Sequence, residues 1–280
     1  MLTMDAVKLI TEILTDLKAN RLKLPTLPQV ALKINNIIDS PDATAKKIAQ
    51  VISTDAALSA RMIQVANSPM MRASSTVDNV QTAITRMGMG VVQNIVISFL
   101  LNQLFHTKHD TLKKRLMRVW NHSAHVAAIS HVLANRFTGL RPDEAMLAGL
   151  IHDIGKLPLI LKAEGNAALA NDPACMDSLD EKLHPALGKV IVQTWGFAPG
   201  MITAVAEHEN LARDSEKLDL TDIVTVANLL SYAGKQHHST QTNWAGIPAF
   251  NKLDLGPEDS IAALEEARDE ITEIVKLLTA

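Results

Sequence analysis

The chain has 280 residues, a formal net charge of −3 at pH 7, 47% hydrophobic residues and only 3% aromatic residues. This length suits one large domain or two modest ones, and an aliphatic composition poor in aromatic residues favours helices over sheets. The small negative charge gives no sign of a surface for nucleic acid or an anionic membrane. Cys175 is the only cysteine, so no intrachain disulfide can form and we expect a reducing compartment, the cytoplasm.

Apolar residues recur with helical spacing along the N-terminal half. Thr44 and either Thr54 or Asp55 are the expected N-caps, and Gly88-Met89-Gly90 separates two helices. The apolar run 91–105 contains Gln and Asn residues, so it is too short and too polar to span a bilayer. The first five residues lack the basic start and apolar core of a signal peptide. The predicted helices cover about 7–17, 30–38, 48–52, 58–65 and 91–105, with one more just before Gly88.

The C-terminal half shows the same helical spacing. The basic stretch Lys108–Arg115 is either a junction between two helical halves or a solvated helix start. We interpret Ser178–His184 as a polar connector, with Pro185 and Pro199 each opening a helix. No hairpin signal is present, so the sequence predicts an all-α protein. The predicted helices lie near 120–132, around His152-Asp153, and at 185–195, 199–208, 220–232 and 256–278.

An adjacent His152-Asp153 pair inside the apolar segment 147–160 is the strongest chemical signal. A buried carboxylate is costly unless it is paired or binds a metal, and imidazole with carboxylate suits a divalent ion. The alternative is a structural ion pair or hydrogen-bonded pair. Gly155 would let the backbone approach a ligand closely, and Lys156 would place a cation beside a phosphate.

Other histidines lie in similar apolar helical contexts and predict, with this pair, an inward-facing site in a helical bundle. They are His122, His184 and His208. His125 lies one turn from His122 and could approach the same site, although a position on the helix surface or in the core is the preferred interpretation. Histidines in polar stretches are expected on the surface: His106, His109, His237 and His238.

His122 followed by His152-Asp153 and Gly155-Lys156 resembles the HD superfamily of metal-dependent phosphohydrolases. Further motifs resemble the HDOD subfamily, the HD-related output domain, over roughly residues 22–234. These motifs are Leu24-Pro25-Thr26-Leu27-Pro28, Ile52–Leu58, Val65–Ser68, Ala83–Gly88, Trp120–Ser123 and His184–Gly188. The resemblance implies a helical N-terminal lobe packed on an HD-like helical bundle, and a bacterial, cytoplasmic signal-transduction role with a signalling protein as partner. The implied segments are a flanking helix at 1–21, the N-terminal lobe at 22–107, the HD-like lobe at 108–236 and flanking helices at 237–280.

The resemblance also implies a ligand set. Active HD enzymes hold metal with a His, the His-Asp pair and a later Asp, and this later position falls on Asn228. In HD-GYP relatives, which cleave cyclic dinucleotides, further histidines take part; Glu207 stands where one of them is expected, and the Gly-Tyr-Pro motif is absent. The implied metal ligands are therefore His122, His152, Asp153, His184, His208 and Asn228.

Asn is a neutral and weaker ligand than carboxylate, so we expect a divalent transition metal (Fe, Mn or Zn) to bind weakly or not at all. We favour a regulatory HDOD module with a degenerate site, which binds a protein or a phosphate-containing small molecule. The alternative is a metal-dependent phosphohydrolase, a phosphodiesterase or phosphomonoesterase, in which Asp153 and Lys156 would be catalytic. A helix-turn-helix around Gly88 is a third hypothesis, but its second helix is too apolar for a major groove. We therefore expect no nucleic-acid partner and no membrane.

Overall fold

The structure is a computed structural model that describes residues 11–13, 15–16, 19, 24–38, 40–68, 71, 75–105, 110–164, 166–234 and 243–279. Every regular element in these ranges is a helix, which confirms the all-α prediction. The α-helices are α1 (Gln29–Ile38), α2 (Ala45–Ile52), α3 (Ala56–Ala66), α4 (Val80–Met87), α5 (Met89–Asn102), α6 (Asp110–Phe137), α7 (Pro142–Ile151), α8 (Lys156–Ala163), α9 (Ala167–Ala170), α10 (Pro173–Thr194), α11 (Pro199–Glu207), α12 (Leu220–Leu230), α13 (Pro248–Lys252), α14 (Pro257–Glu266) and α15 (Arg268–Thr279). Short 3₁₀ segments follow at Gln103–Phe105 and Trp244–Gly246.

Local sequence signals fix several helix boundaries. The Thr44 side chain accepts the backbone N–H of Lys47 at the start of α2, and Asp55 caps α3 in the same way, so both predicted caps are confirmed. Gly88 separates α4 from α5 with a φ of 81°, a left-handed conformation that favours glycine. The predicted helix at 7–17 falls largely outside the described residues.

The described residues form two compact units. The first consists of Leu27–Leu104 and Arg268–Ala280, and the second of Met1–Thr26 and Phe105–Ala267. In the first unit the apolar helix α5 is buried and contacts α1 and α15. The guanidinium of Arg61 on α3 donates to the backbone carbonyl of Leu277 on α15, so the last helix belongs to this unit. The four segments implied by the family resemblance stay a prediction.

The predicted single C-terminal helix at 256–278 is wrong. Ala267 leaves the helical conformation, with φ −93° and ψ 8°, and separates α14 from α15. The two helices also fall into different compact units. The spacing of apolar residues alone does not reveal this break, because apolar residues recur with helical spacing on both sides of it.

The second unit is built around the 28-residue helix α6, which packs along α7 and also contacts α8 and α12. A Cβ atom at Gly149 on α7 would lie 2.8 Å from the Cα atom of Ala127 on α6. Glycine therefore allows these two helices to approach closely. This approach brings the helix that carries His122 beside the residues that follow α7.

Two predictions about α6 and α10 need correction. Ser178–His184 is not a connector, because α10 runs without interruption through it and contains Pro185 in its interior. Pro185 removes one backbone donor, but buried side chains of α10 such as Leu187 and Ile191 hold the helix in place through packing. The stretch Asp110–Arg115 is a helix start, as the second interpretation had it, yet the Arg115 guanidinium is mostly buried and pairs with Asp180 at 2.7 Å. Lys108 lies outside the described residues.

No single helix in the described part of the chain combines the length and the apolar character needed to cross a membrane. Two consecutive segments, Val80–Met87 and Met89–Phe105, are together long and apolar enough, but the chain bends by 114° between them.

Candidate metal site

The His152-Asp153 pair lies in a turn between α7 and α8, so its predicted placement within a helix is wrong. Backbone hydrogen bonds of the i→i+3 type shape this turn, including Lys156 N–H to the Asp153 carbonyl at 2.9 Å. A Cβ atom at Gly155 would lie only 1.9 Å from the carbonyl oxygen of His184. Gly155 thus permits the close approach of α10, and the approach of a ligand at this position stays a prediction. The consequence is that His184 lies next to the pair.

Four imidazoles point their Nε2 atoms at the carboxylate of Asp153. His122 and His152 lie 3.6 and 3.4 Å from Oδ2, and His184 and His208 lie 3.3 and 3.8 Å from Oδ1. The ligand atoms form two groups of three that share Asp153, each with all its atoms within 4.8 Å of one another. The structure therefore brings five of the six predicted ligands together.

The opposite ring nitrogen of three of these histidines faces a backbone carbonyl. The Nδ1 atoms of His152, His184 and His208 lie 2.7, 2.5 and 3.0 Å from the carbonyl oxygens of Gly149, Asp180 and Val205. A carbonyl oxygen only accepts, so each Nδ1 carries the proton and donates it. Each Nε2 of a neutral ring then presents a lone pair to the site, which is the arrangement that orients metal-ligating histidines.

These lone pairs face one another at short range. The Nε2 atoms of His184 and His208 are 3.1 Å apart, and Nε2 of His152 and Oδ1 of Asp153 are buried without a hydrogen-bond partner. Two ligands bound at right angles to one ion, with bonds of about 2.1 Å, would lie about 3.0 Å apart. Buried acceptors without donors are costly, and a cation between them removes this cost. The residues therefore fit a divalent metal ion.

The protonation states agree with this fit. Burial lowers the pKa of His122 to about 4 and that of His184 to about 3, so both rings are neutral at pH 7, the form that binds metal. Burial alone would raise the pKa of Asp153, but the charge of the adjacent Lys156 ammonium contributes to holding this pKa well below its ordinary value. Lys156 donates from Nζ to Oδ2 of Asp153 at 2.6 Å. The carboxylate is thus ionised, and one of its oxygens is already paired.

Asn228 adjoins the site through a residue that sequence reasoning missed. Its Nδ2 donates to Oε1 of Glu209 at 3.3 Å, and the same Oε1 lies 3.6 Å from Nε2 of His208. Glu207 turns away and accepts a hydrogen bond from Arg213 at 3.0 Å. The carboxylate beside the site is therefore that of Glu209, because α11 ends at Glu207 and the following turn redirects the chain. Ligation by Asn228 itself stays a prediction.

Tyr232 is a second residue that the sequence analysis did not single out. Its hydroxyl lies 3.4 Å from Nε2 of His122, and the two rings stack with their centroids 5.1 Å apart. Burial raises the pKa of Tyr232 to about 12, so the hydroxyl keeps its proton at pH 7. Of the other histidines, His125 belongs to neither ligand group among the described residues. The four histidines expected on the surface lie outside the described residues: His106, His109, His237 and His238.

Comparison with known proteins places the chain in a family. The HDOD domain matches residues 24–211, about two thirds of the chain. An uncharacterized protein of Treponema pallidum (strain Nichols) is 25% identical over 221 residues, a match that covers 74% of this chain and 42% of that protein. The chain thus spans less than half the length of this curated relative.

Solved structures agree with this match. A Shewanella amazonensis SB2B protein, provisionally named a metal-dependent phosphohydrolase, gives a TM-score of 0.79 at 29% identity and covers 99% of this chain and 100% of its own. A Marinobacter aquaeolei VT8 protein, provisionally named a signal transduction protein, gives a TM-score of 0.70 at 21% identity. The match covers 93% of this chain and 61% of the Marinobacter chain, and it shows a likeness of fold alone. The chain belongs to the HDOD family.

Proposed function

We propose that this chain is a bacterial signal-transduction module whose second unit keeps a divalent-metal site for binding and regulation. The observation that carries the metal site is the convergence of four imidazole Nε2 atoms on the buried carboxylate of Asp153. The signalling role is supported by membership of the HDOD family and by the name of the Marinobacter protein. A signalling protein is the expected partner, in the cytoplasm.

Two groups of side chains would hold metal, with Asp153 common to both. One adds His122 and His152, and the other adds His184 and His208. Mixed imidazole and carboxylate ligands suit Fe, Mn or Zn. When bound, such an ion supplies Lewis-acid polarisation of a phosphoryl oxygen and makes a bound water more acidic.

Donors beside these ligands favour a phosphate-containing ligand. The Lys156 ammonium and the Tyr232 hydroxyl both lie next to ligand atoms of the site. The side chain of Lys156 is 18% exposed and that of Glu209 is 44% exposed, so the edge of the site reaches solvent at these two residues. Lys156 would bind phosphate oxygens by charge, and Tyr232 would donate a hydrogen bond to them.

A metal-dependent phosphohydrolase is the second candidate. The converging set of His122, His152 and Asp153, with Lys156 beside it, favours this function. We rank it lower because neutral Asn228 stands at the position of the later Asp, and Asn210-Leu211 follows Glu209 in place of a Gly-Tyr-Pro motif. If the site turns over, Asp153 and Lys156 are the catalytic residues.

Metal analysis and activity assays on one set of proteins test both candidates. The chain would be purified without chelator and without a nickel column, loaded with Mn²⁺ or Fe²⁺, and given cyclic dinucleotides, other phosphodiesters and phosphomonoesters. We expect bound metal in the wild type, none in Asp153→Asn, and full binding in Asp177→Asn, a control at an exposed carboxylate. Turnover that the wild type shows and Asp153→Asn lacks would promote the phosphohydrolase. A wild type that binds no metal would contradict the metal site.

A further inference from the structure

We infer that Glu209 is itself a metal ligand of this site and that the Nδ2 amide of Asn228 orients it. The inference rests on the proposed metal site and deepens it. In this chain the negative charge would come from the turn after α11, and α12 would contribute a neutral hydrogen-bond donor to that carboxylate.

The distance between Glu209 and His208 is the first observation that supports ligation by Glu209. Oε1 of Glu209 lies 3.6 Å from Nε2 of His208, which is longer than a hydrogen bond. With Nδ1 of His208 donating to the Val205 carbonyl, Nε2 is the ring nitrogen that faces the Glu209 carboxylate, and a cation between the two atoms would contact both. The separation falls within the 3.3 to 3.8 Å that separate the imidazole Nε2 atoms from the Asp153 oxygens. Glu209 belongs to neither group of three ligand atoms, so its carboxylate would reach an ion from beside His208, at the edge of the second group.

Asn228 holds the carboxylate in this place. Its Nδ2 donates to Oε1 of Glu209, and Thr225, also on α12, donates from Oγ1 to the backbone carbonyl of His208 at 3.1 Å. The turn that carries His208 and Glu209 is thus fastened to α12 at two points. An aspartate at position 228 would repel the Glu209 carboxylate at this distance, whereas the amide attracts it.

The charge balance of the site gives Glu209 a large role. The Asp153 carboxylate is already paired with the Lys156 ammonium, and the buried imidazoles of His122 and His184 are neutral. Without Glu209, a divalent ion would therefore enter a ligand shell with no net negative charge. Hard and borderline cations bind anionic oxygen more strongly than neutral ligands, so the charge of Glu209 should decide the affinity.

Mn²⁺ affinity of the full-length chain, measured by competition with a fluorescent chelator, tests the inference. Glu209→Gln should weaken binding by about tenfold or more. Glu207→Gln is the matched control, since Glu207 is the neighbouring glutamate and binds Arg213 instead, and it should stay within about twofold of the wild type. Asn228→Ala should weaken binding by several fold, and the double variant Glu209→Gln with Asn228→Ala should match Glu209→Gln alone, because Asn228 acts through Glu209.

Two further readouts separate ligation from a structural effect. The d–d absorption of the Co²⁺-loaded protein should change in Glu209→Gln and not in Glu207→Gln, because replacing a ligand atom changes the ligand field. Glu209→Asp keeps the charge and should bind Mn²⁺ more tightly than Glu209→Gln. Equal affinities for Glu209→Gln, Glu207→Gln and the wild type, with binding still lost in Asp153→Asn, would overturn the inference and leave the proposed metal site standing. A wild type that binds no Mn²⁺ would overturn both.

Discussion

Asp153 and Asp222 are two buried carboxylates of the same compact unit, each about 1% exposed, and their surroundings are opposite. Asp222 accepts hydrogen bonds on both oxygens, from Arg213 at 3.3 Å, Lys252 at 3.1 Å and Ser215 at 3.2 Å. Asp153 accepts one from Lys156, and its other oxygen faces imidazole lone pairs. A buried carboxylate saturated by protein donors has a structural role, whereas one that faces further acceptors is prepared for a cation.

The two carboxylates also differ in how their partners arise along the chain. Asp222 belongs to a capping box at the start of α12: Asp219 accepts its backbone N–H, and Asp222 accepts that of Asp219. Its environment is therefore largely local. The imidazoles around Asp153 come from α6, from α10 and from the turns after α7 and α11, so this site forms only when the whole unit packs.

The first prediction tests the structural role of Asp222. Asp222→Asn should lower the free energy of unfolding by about 3 kcal/mol, because it leaves the charges of Arg213 and Lys252 without their buried partner. Asp153→Asn should cost less in metal-free protein, because it unpairs one cation, Lys156, but relieves the repulsion between Oδ1 and the imidazole lone pairs, and it should abolish metal binding. Urea denaturation in chelator, with Asp214→Asn as the control at an exposed carboxylate beside Lys252, measures both changes. Equal destabilisation by Asp222→Asn and Asp153→Asn would contradict the distinction.

The second prediction concerns Gly155, which lies in the turn that carries Asp153. Gly155→Ala should destabilise the protein by about 1 to 3 kcal/mol and weaken metal binding, because its Cβ atom would collide with the His184 carbonyl. Gly139→Ala is the matched control, since nothing lies within 4 Å of the Cβ atom it would add. Thermal unfolding and metal titration give the two readouts. Unchanged metal affinity in a folded Gly155→Ala protein would show that this approach does not set the site.

Local signals account for what the sequence could predict of the fold. The caps at Thr44 and Asp55 and the break at Gly88 depend on neighbouring residues only, and the structure has all three. Continuity of α10 through Pro185 depends on packing against other helices, which outweighs the local preference of a proline to begin a helix. Helix boundaries decided by tertiary contacts were therefore the ones that the sequence could not give.

The candidate site divides in the same way. Family motifs pointed to His122, His152, Asp153, His184 and His208, and the structure brings their ligand atoms together. Glu209 and Tyr232 follow the ends of α11 and α12, where turns set the direction of the side chain. Spacing along the sequence does not encode that direction. For Glu209, the sequence signal is an acidic residue directly after His208. It indicates a site residue only once the structure shows that Asn228 donates a hydrogen bond to it.

The third prediction concerns the pH dependence of stability that the buried, neutral imidazoles around Asp153 cause. In the folded chain the pKa values of His122 and His184 are about 4 and about 3, below the ordinary 6.5. The unfolded chain takes up these protons first as the pH falls below about 6.5, so the free energy of unfolding should drop toward pH 4 by about 1.4 kcal/mol per pH unit for each histidine. Stability from this source is complete above about pH 6.5. We would measure the free energy of unfolding of metal-free protein, in chelator, between pH 7 and pH 4.5. Its slope against pH should be shallower in His122→Asn than in the wild type. Parallel profiles would contradict the lowered pKa of His122.

The last prediction distinguishes the two lysines that pair with the buried carboxylates, Lys156 and Lys252. Lys156→Gln should weaken orthophosphate binding to the metal-loaded protein by several fold, since it removes a cation beside the ligand atoms of the site. Lys252→Gln should leave phosphate affinity unchanged and lower stability only, because Lys252 pairs with Asp222 and with exposed Asp214. Metal affinity should not fall in Lys156→Gln, because removing a positive charge near a cation reduces repulsion. Isothermal titration with phosphate, after Mn²⁺ loading, tests the pair of variants. Equal losses of phosphate affinity in the two variants would show that long-range charge explains the binding. That result would contradict a phosphate site beside Asp153.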